Sequence, residues 1–284
     1  MAKKRATLTD LLNDLTYRIH YDKNKLIALN EHEWDGLPEG IEPRHIEQWL
    51  FSDGLVCFFK RRKGGFMVLQ CSPDGKQDVK GDPTGYHIHG VGYQTWRHRD
   101  QCVIIRNNLL SIPTEPFAQF YANKVAEAER TMDVNVKACK TPVIFACDDK
   151  DLLTFKRMFQ QVDGNTPALF VDRGLNLDSI QAFLTGVKFM GNELMDYKRS
   201  VESDWLTFMG QNNTPVDKKE RLITDEAEAN NELIASFADL QLQARQKACE
   251  EINAMFGLNV SVRRRTPVEK PVETGDKEDD HVSA

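Results

Sequence analysis

The chain has 284 residues, of which 40% are hydrophobic and 28% charged, an ordinary composition for a water-soluble protein with one large core or two modest ones. No apolar run approaches the length of about 20 residues that a membrane-spanning helix needs, and the N-terminus lacks the apolar segment of a secretory signal. The formal net charge of −6 argues against tight binding of nucleic acid, because such binding usually depends on a basic surface.

Cysteines are spread along the chain without a C-x-x-C pair. This spacing predicts reduced thiols rather than a disulfide framework or a zinc site. The cysteines are Cys57, Cys71, Cys102, Cys139, Cys147 and Cys249.

The first elements of the chain are predicted to be helical. Thr7 is a candidate N-cap, and apolar residues then recur at near-helical spacing as far as Leu29, with Asn24 as a candidate interruption. Glycines and prolines between residues 36 and 43 end this pattern, and Ile46–Phe51 predicts a short helix.

Residues 54 to 110 predict strands. Short runs rich in β-forming residues stand at 55–59, 66–71 and 101–106. A basic loop, residues 60–65, separates the first two runs, and turns are predicted at Asp74-Gly75 and at 82–85.

Two long amphipathic helices are predicted further along, at about 114–136 and about 188–209. Apolar residues mark one face of each, and Gly210 stands where the second helix needs a residue with positive φ. A compact α/β segment lies between the two helices. Its predicted elements, in order, are a strand at 141–146, a helix at 152–162, a strand at 168–172 and a short helix at 178–184.

After Gly210 the sequence predicts a polar loop, a helix at 226–256 and a strand at 258–263. Gly257 is a second candidate helix cap. The remaining tail has almost no apolar residues, which predicts disorder.

The polar loop carries three cations, Lys218, Lys219 and Arg221. A basic loop held between two rigid helices suits contact with a polyanion, and a solvated loop with ordinary surface charges is the alternative. The N-terminus presents a second basic group, for which a frayed, solubilising end is the alternative. Its members are Lys3, Lys4 and Arg5.

A metal site is a further candidate. His87 and His89 form a His-x-His pair, which on a strand points both imidazoles to one face, and Asp82 and His98 lie nearby in the sequence. The glycines around them predict loops, and no further ligand motif accompanies them. The chain also lacks a phosphate-binding loop and the nucleophile elbow of hydrolases, which favours a protein without catalytic activity.

Short motifs in a fixed order run through most of the chain. In the second half they are TFMG (207–210), KKER (218–221), TDE (224–226), ACEEIN (248–253) and GLNV (257–260). Upstream they are MAKKR at the start, Trp34, LPEGIEP (37–43), Asn107-Asn108, IPTEP (112–116), KTPV (140–143) and DSI (178–180). This series resembles the upper collar, or head–tail connector (portal), proteins of the small protein-primed podophages, over roughly residues 1 to 262.

The resemblance implies an α+β, mostly helical fold of the portal type. Such a protomer has a mixed wing, two long stem helices, an α/β clip inserted between them and an inner loop that faces a channel. The wing would take residues 1–112 and 228–262, the stem helices 113–138 and 186–210, the clip 139–185, the inner channel loop 211–227 and a disordered tail 263–284.

The resemblance also implies a function without chemistry or cofactors. Twelve subunits would form a ring at one capsid vertex, through which double-stranded DNA enters during packaging and leaves during ejection. The three loop cations would line the DNA channel, and the three N-terminal cations would contact the packaging motor or a packaging RNA. Further partners would be the packaging ATPase, the capsid protein and the lower collar or tail protein, in the virion and, during assembly, in the host cytoplasm, with no membrane.

One departure from the family pattern concerns the positive rings of the channel. The family presents lysines near the start of the second long helix where this chain has Leu184 and Glu193, and Lys188 is expected to face the channel in their place. Two alternatives remain: another virion structural component such as a tail adaptor, and a metal-dependent hydrolase built on the histidines at 87, 89 and 98.

Overall fold

A computed structural model describes residues 8–140, 143–146, 181–184, 188–212 and 224–265. The chain divides into two compact units. The helical unit comprises Met1–Leu26 and Thr114–Asp239, and the sheet unit comprises Ile27–Pro113 and Leu240–Ala284. This combination of long helices and antiparallel sheet confirms the predicted α+β, mostly helical class.

Five α-helices lie within the described residues. They are α1 (Leu8–Leu29), α2 (Pro43–Asp53), α3 (Glu115–Lys140), α4 (Gly191–Phe208) and α5 (Thr224–Phe256). The first helix is continuous through Asn24, whose buried side chain donates a hydrogen bond to the carbonyl oxygen of Ala118 over 3.1 Å. The predicted interruption at Asn24 is therefore wrong, because α3 supplies the acceptor that the buried amide needs.

The strands of the described residues form three antiparallel sheets. They are β1 (His32–Asp35), β2 (Leu55–Lys60), β3 (Phe66–Gln77), β4 (Pro83–Gly90), β5 (Tyr93–His98), β6 (Cys102–Arg106), β7 (Val143–Ala146), β8 (Gln181–Leu184) and β9 (Ser261–Arg264). The largest sheet has the order β5-β4-β3-β2-β6, and the other two are the pairs β1-β9 and β7-β8. Consecutive strands β2 to β5 are neighbours, as in a meander.

The strand β2 is buried on both of its faces. Val56 and Phe58 pack into one apolar cluster with side chains of α2 and α5, whereas Cys57 and Phe59 pack into another with side chains of β4 and β6. All four side chains are fully buried. Successive side chains of a strand point to opposite faces, so an unbroken apolar run is what a strand between two cores requires.

The third strand is longer than the sequence predicts. It continues through the predicted turn at Asp74-Gly75, where a bulge accommodates Gly75 at φ +84°. The chain reverses instead after Asp78, whose carboxylate accepts hydrogen bonds from the backbone N–H groups of Lys80 and Asp82. The turn predicted at 82–85 is therefore wrong over residues 83–85, which belong to β4.

The predicted α/β segment is described at its two ends. The strands β7 and β8 pair there, with Val143 opposite Leu184, which confirms the first predicted strand over 143–146. The helix predicted at 178–184 is wrong over Gln181–Leu184, because pairing with β7 satisfies the backbone of this segment as a strand. The helix predicted at 152–162 and the strand predicted at 168–172 lie outside the described residues.

The last strand overlaps the start of the predicted tail. It spans Ser261–Arg264 and pairs with β1, so Trp34 lies opposite Val262. Arg263 contacts the carboxylates of Glu33 and Asp35 across the pair, at 3.0 Å and 3.6 Å. The rest of the predicted tail, from residue 266, lies outside the described residues.

A buried ion pair between Arg245 of α5 and Glu47 of α2 connects the elements of the sheet unit. The guanidinium group donates two hydrogen bonds to the carboxylate, at 3.0 Å and 2.7 Å, and further bonds to Asn107 and to the carbonyl oxygen of Gln241. The indole of Trp34 donates to the same carboxylate over 2.8 Å. Burial by itself raises the pKa of Glu47, but Arg245 outweighs burial and holds that pKa below its ordinary value.

We expect Glu47→Gln to destabilise the protein by about 3–5 kcal/mol, because it removes the charge that pairs directly with the buried guanidinium of Arg245. The amide keeps the shape of the carboxylate, so the loss reports charge rather than packing. The measurement is the free energy of unfolding in denaturant, followed by tryptophan fluorescence. Glu250→Gln, on the exposed side of α5, is the matched control. Equal losses in the two variants would contradict this role for the ion pair.

Candidate functional site

Most of the cations predicted to contact nucleic acid lie outside the described residues. These are the loop residues Lys218, Lys219 and Arg221 and the N-terminal residues Lys3, Lys4 and Arg5. The structure does describe Lys188 and the helices on either side of the loop. The described part of the site consists of the residues that fix α4 against α3 and α5.

The entry to α4 is fixed by one amide side chain of α3. Asn135 donates from Nδ2 to the carbonyl oxygen of Lys188 over 2.9 Å, and its Oδ1 accepts from the backbone N–H of Met190 over 3.0 Å. Lys188 itself is exposed. The backbone of this segment is thus held against α3 while the ammonium group is open to solvent. Sequence reasoning missed Asn135, because nothing in a helical pattern distinguishes an asparagine that binds a distant backbone.

The end of α4 is fixed by Gly210, as the sequence predicts. Gly210 has φ +67° and donates its N–H to the carbonyl oxygen of Thr207 over 2.9 Å. A Cβ atom at this position would lie 2.6 Å from the Cβ atom of Ala238 and 2.7 Å from its Cα atom. Glycine is therefore required twice here, for the left-handed backbone and for the close approach of α5.

Aromatic side chains lock the same end of α4 to its neighbours. The ring of Phe208 stacks on Phe117 of α3, with 4.6 Å between centroids, and contacts Phe237 of α5 at 5.9 Å. Trp205 is buried and contacts both Phe208 and Tyr121. The three helices around the loop thus meet in one apolar cluster just before the loop begins.

A polar cluster joins α1, α3 and α4 further along the helices. Glu129 of α3 pairs with His20 of α1 over 2.8 Å and also accepts a hydrogen bond from Lys198 of α4. Burial by itself raises the pKa of Glu129, but the hydrogen bonds from Lys198 and His20 outweigh burial and hold that pKa below its ordinary value. The carboxylate is therefore ionised and ties the three helices together.

The loop between α4 and α5 is shorter than predicted. The fifth helix begins at Thr224, two residues before the predicted start at 226, and the segment after Gly210 is described as far as Asn212. The helices before and after the loop confirm the sequence prediction, and the role of the loop cations stays a prediction.

The helical unit also exposes large apolar side chains. On α3, Phe120 is 54% and Val134 is 64% exposed, and before α4 Phe189 is 64% exposed. The ammonium group of Lys124 lies 4.6 Å from the centre of the Phe120 ring and covers it in part. Exposed apolar side chains of this size are able to pack against a partner surface.

The histidines considered for a metal site do share one face of the sheet. His87 and His89 stand two residues apart on β4, with 6.2 Å between their ring centroids. His98 lies on the neighbouring strand, opposite Gly85. His98 pairs instead with Asp100, over 2.9 Å. Among the described residues, no group of three histidine, cysteine or acidic side chains is placed to hold a metal ion. The hydrolase alternative therefore has no support.

Comparison with known proteins agrees with the motif order. A family model described as Phage Connector (GP10) matches residues 12–269. A chain from a structure of the portal and tail of native bacteriophage P68 shares the fold with a TM-score of 0.50 and 13% sequence identity, covering 94% of this chain and 93% of that chain. An HK97 family phage portal protein from Corynebacterium diphtheriae gives a TM-score of 0.47 and 10% identity, covering 93% and 96%. Within the described residues, no helix has the length and apolar character needed to cross a membrane.

We expect Gly210→Ala to destabilise the protein more than Gly257→Ala does. Gly257 also follows a helix, with φ +66°, but a Cβ atom there would meet no atom within 4 Å. Both variants pay about 1–2 kcal/mol for a side chain in the left-handed region, and only the first also displaces Ala238. The measurement is the unfolding midpoint in denaturant. Equal midpoints would show that α5 yields to the added methyl group without cost.

Proposed function

The chain belongs to the phage connector family, and on this basis we propose that it is a portal subunit whose copies close into a ring at one capsid vertex. Double-stranded DNA passes through this ring during packaging and leaves through it during ejection. The observation that carries the proposal is the family match over residues 12–269, which includes both units of the chain. The fold shared with the phage P68 portal and tail structure supports it.

The exposed apolar side chains of the helical unit support assembly into a ring. Phe120, Val134 and Phe189 would be covered by neighbouring subunits, which removes apolar surface from water. A head-to-tail arrangement of identical subunits forms a ring when its rotation closes. Following the resemblance in the sequence, we propose a ring of twelve.

The helical frame around the basic loop supports a DNA channel. Lys218, Lys219 and Arg221 would form a ring of positive charge, with Lys188 at a second height, since its side chain is exposed at the start of α4. Such charges contact phosphates without reading sequence, which suits DNA that must slide. The acidic remainder of the chain, with a net charge of −6, would keep the DNA from being held too tightly.

The proposed subunit does no chemistry of its own. A separate packaging ATPase would drive the DNA, and Lys3, Lys4 and Arg5 would contact this motor or a packaging RNA. The capsid protein and the lower collar or tail protein would be the other partners. The chain would then reside in the virion at the capsid vertex, after assembly in the host cytoplasm.

The proposed ring can be tested by measuring the mass and shape of the purified protein. We expect light scattering at micromolar concentration to give a closed multiple of the 32.5 kDa subunit, seen as rings by electron microscopy. Phe120→Glu should weaken this assembly, because it places a charge in the apolar surface. Val79→Glu is the control, since Val79 is fully exposed in the sheet unit. A stable monomer of the unaltered protein would overturn the proposal.

A second experiment addresses the inner loop. Replacing Lys218, Lys219 and Arg221 by Ala should leave rings intact, because the contacts described above between the helices involve none of these three residues. The defect should appear when packed DNA must be retained, since charges in a narrow, poorly screened bore act strongly on phosphates. The measurement is the amount of full-length genome in particles carrying the triple variant. Normal retention with normal infectivity would refute the role of the loop and leave the portal assignment standing.

A further inference from the structure

The hairpin between β2 and β3 carries a run of four cations in the sheet unit. Lys60, Arg61, Arg62 and Lys63 are consecutive, and all four are exposed. The nearest acidic residues along the chain are Asp53 and Asp74. This concentration of positive charge contrasts with the acidic chain as a whole.

The fold adds a fifth cation from a distant part of the sheet. Arg97 of β5 lies with its guanidinium 5.8 Å from the ring centre of Phe59 in β2, which brings β5 beside the hairpin. Together they line a groove of about 410 Å³ that contains four cationic side chains and no carboxylate. Its lining residues are Arg61, Arg62, Lys63, Tyr93, Gln94, Thr95 and Arg97.

The cations of this groove have no countercharge within the described ranges. None of the four forms an ion pair there, and the Nε atom of Arg97 is buried without a hydrogen-bond partner. Arg61 uses its Nε–H to bond the carbonyl oxygen of Gly64 over 3.2 Å, which fixes its guanidinium beside the loop. Like charges that line one groove repel one another, so an anion bound among them would stabilise the groove.

The backbone of the hairpin leaves room for such an anion. Gly64 and Gly65 both have positive φ, of +90° and +76°. A Cβ atom at Gly64 would meet no atom within 4 Å, so this side of the loop lies open to solvent. A phosphate group can therefore approach the backbone closely, while arginine side chains on either side offer the planar donors that phosphate favours.

The aromatic residue of the groove indicates which nucleic acid would fit. The ring of Tyr93 stacks on Phe59, with 6.1 Å between centroids, and is therefore occupied on that face. Single-stranded nucleic acids are usually held by aromatic rings on which bases stack. A groove with several cations and a single tyrosine, one face of which Phe59 already covers, suits the outer phosphates of a duplex better than the bases of a single strand.

We propose that this groove, lined by Arg61, Arg62, Lys63 and Arg97, binds the phosphate backbone of double-stranded DNA without reading its sequence. All the residues that line the site belong to the sheet unit. The site does not depend on ring closure or on a channel. An experiment can therefore refute this site without refuting the portal assignment.

Binding to a short fluorescent DNA duplex of random sequence, measured over a range of salt concentrations, tests the site. All proteins carry Gln at positions 218, 219 and 221, so that the loop cations cannot contribute. Arg62→Gln with Lys63→Gln should lower the affinity roughly 10- to 30-fold at physiological salt and reduce the salt slope by about 2, the loss of two phosphate contacts. Lys76→Gln with Lys80→Gln removes the same charge from exposed positions of the same unit and is the control.

The conservative variant Arg62→Lys, with Lys63 retained, should keep most of the binding, because it preserves both charges. Equal affinities and slopes for the groove variant and its control would overturn the proposal. Tighter, groove-dependent binding of a single-stranded RNA of the same length would also overturn it, in favour of an RNA site. A groove variant that loses self-assembly while keeping duplex binding would identify the groove as a contact between subunits, which likewise refutes it.

Discussion

The buried pair of Arg245 and Glu47 sets a condition that the rest of the sheet unit must satisfy. Removing two charges from water costs several kcal/mol for each ion, and the mutual attraction offsets this cost when the remaining donors and acceptors are also satisfied. Arg245 therefore needs Asn107 and the carbonyl oxygen of Gln241, and Glu47 needs the indole of Trp34. Four segments that are distant in the sequence are held in one arrangement by this requirement.

Several residues of the motifs that carry the family resemblance make contacts that join distant elements of the fold. Trp34 and Asn107 belong to the buried ion-pair network, and Gly210 permits the close approach of α5. Asn253 exchanges two hydrogen bonds with the backbone of Val260, at 2.8 Å and 2.7 Å, and so joins the end of α5 to the strand that follows. Members of these motifs therefore stabilise the framework of both units.

The parts of the fold that the sequence predicts are those with a strong local pattern. The long helices follow from apolar periodicity, and β2 and β6 follow from unbroken runs of β-forming residues. The strands β4 and β5 were missed because Gly85, Gly90 and Gly92 indicated loops and because the region has no continuous apolar run. The helix predicted over 181–184 was wrong because the strand conformation there depends on pairing with Val143–Ala146, far away in the sequence.

The two basic regions also differ in how far the sequence predicts them. Lys218, Lys219 and Arg221 could be singled out from composition and motif order alone. The run from Lys60 to Lys63 was visible as a basic hairpin, but its relation to Arg97 was not, because it depends on β5 lying beside Phe59. A groove whose residues come from separate strands can be recognised only in the three-dimensional structure.

The double burial of β2 constrains how such a chain can diverge. Exchanging one residue, such as Phe58 or Phe59, alters the volume of a single core, and neighbours in that core can compensate. Inserting or deleting one residue within the strand would exchange the two sets of side chains, so both cores would lose their fit at once. Relatives are therefore expected to vary in side-chain size along this strand and to place changes of length outside it, as in the hairpin that connects it to β3.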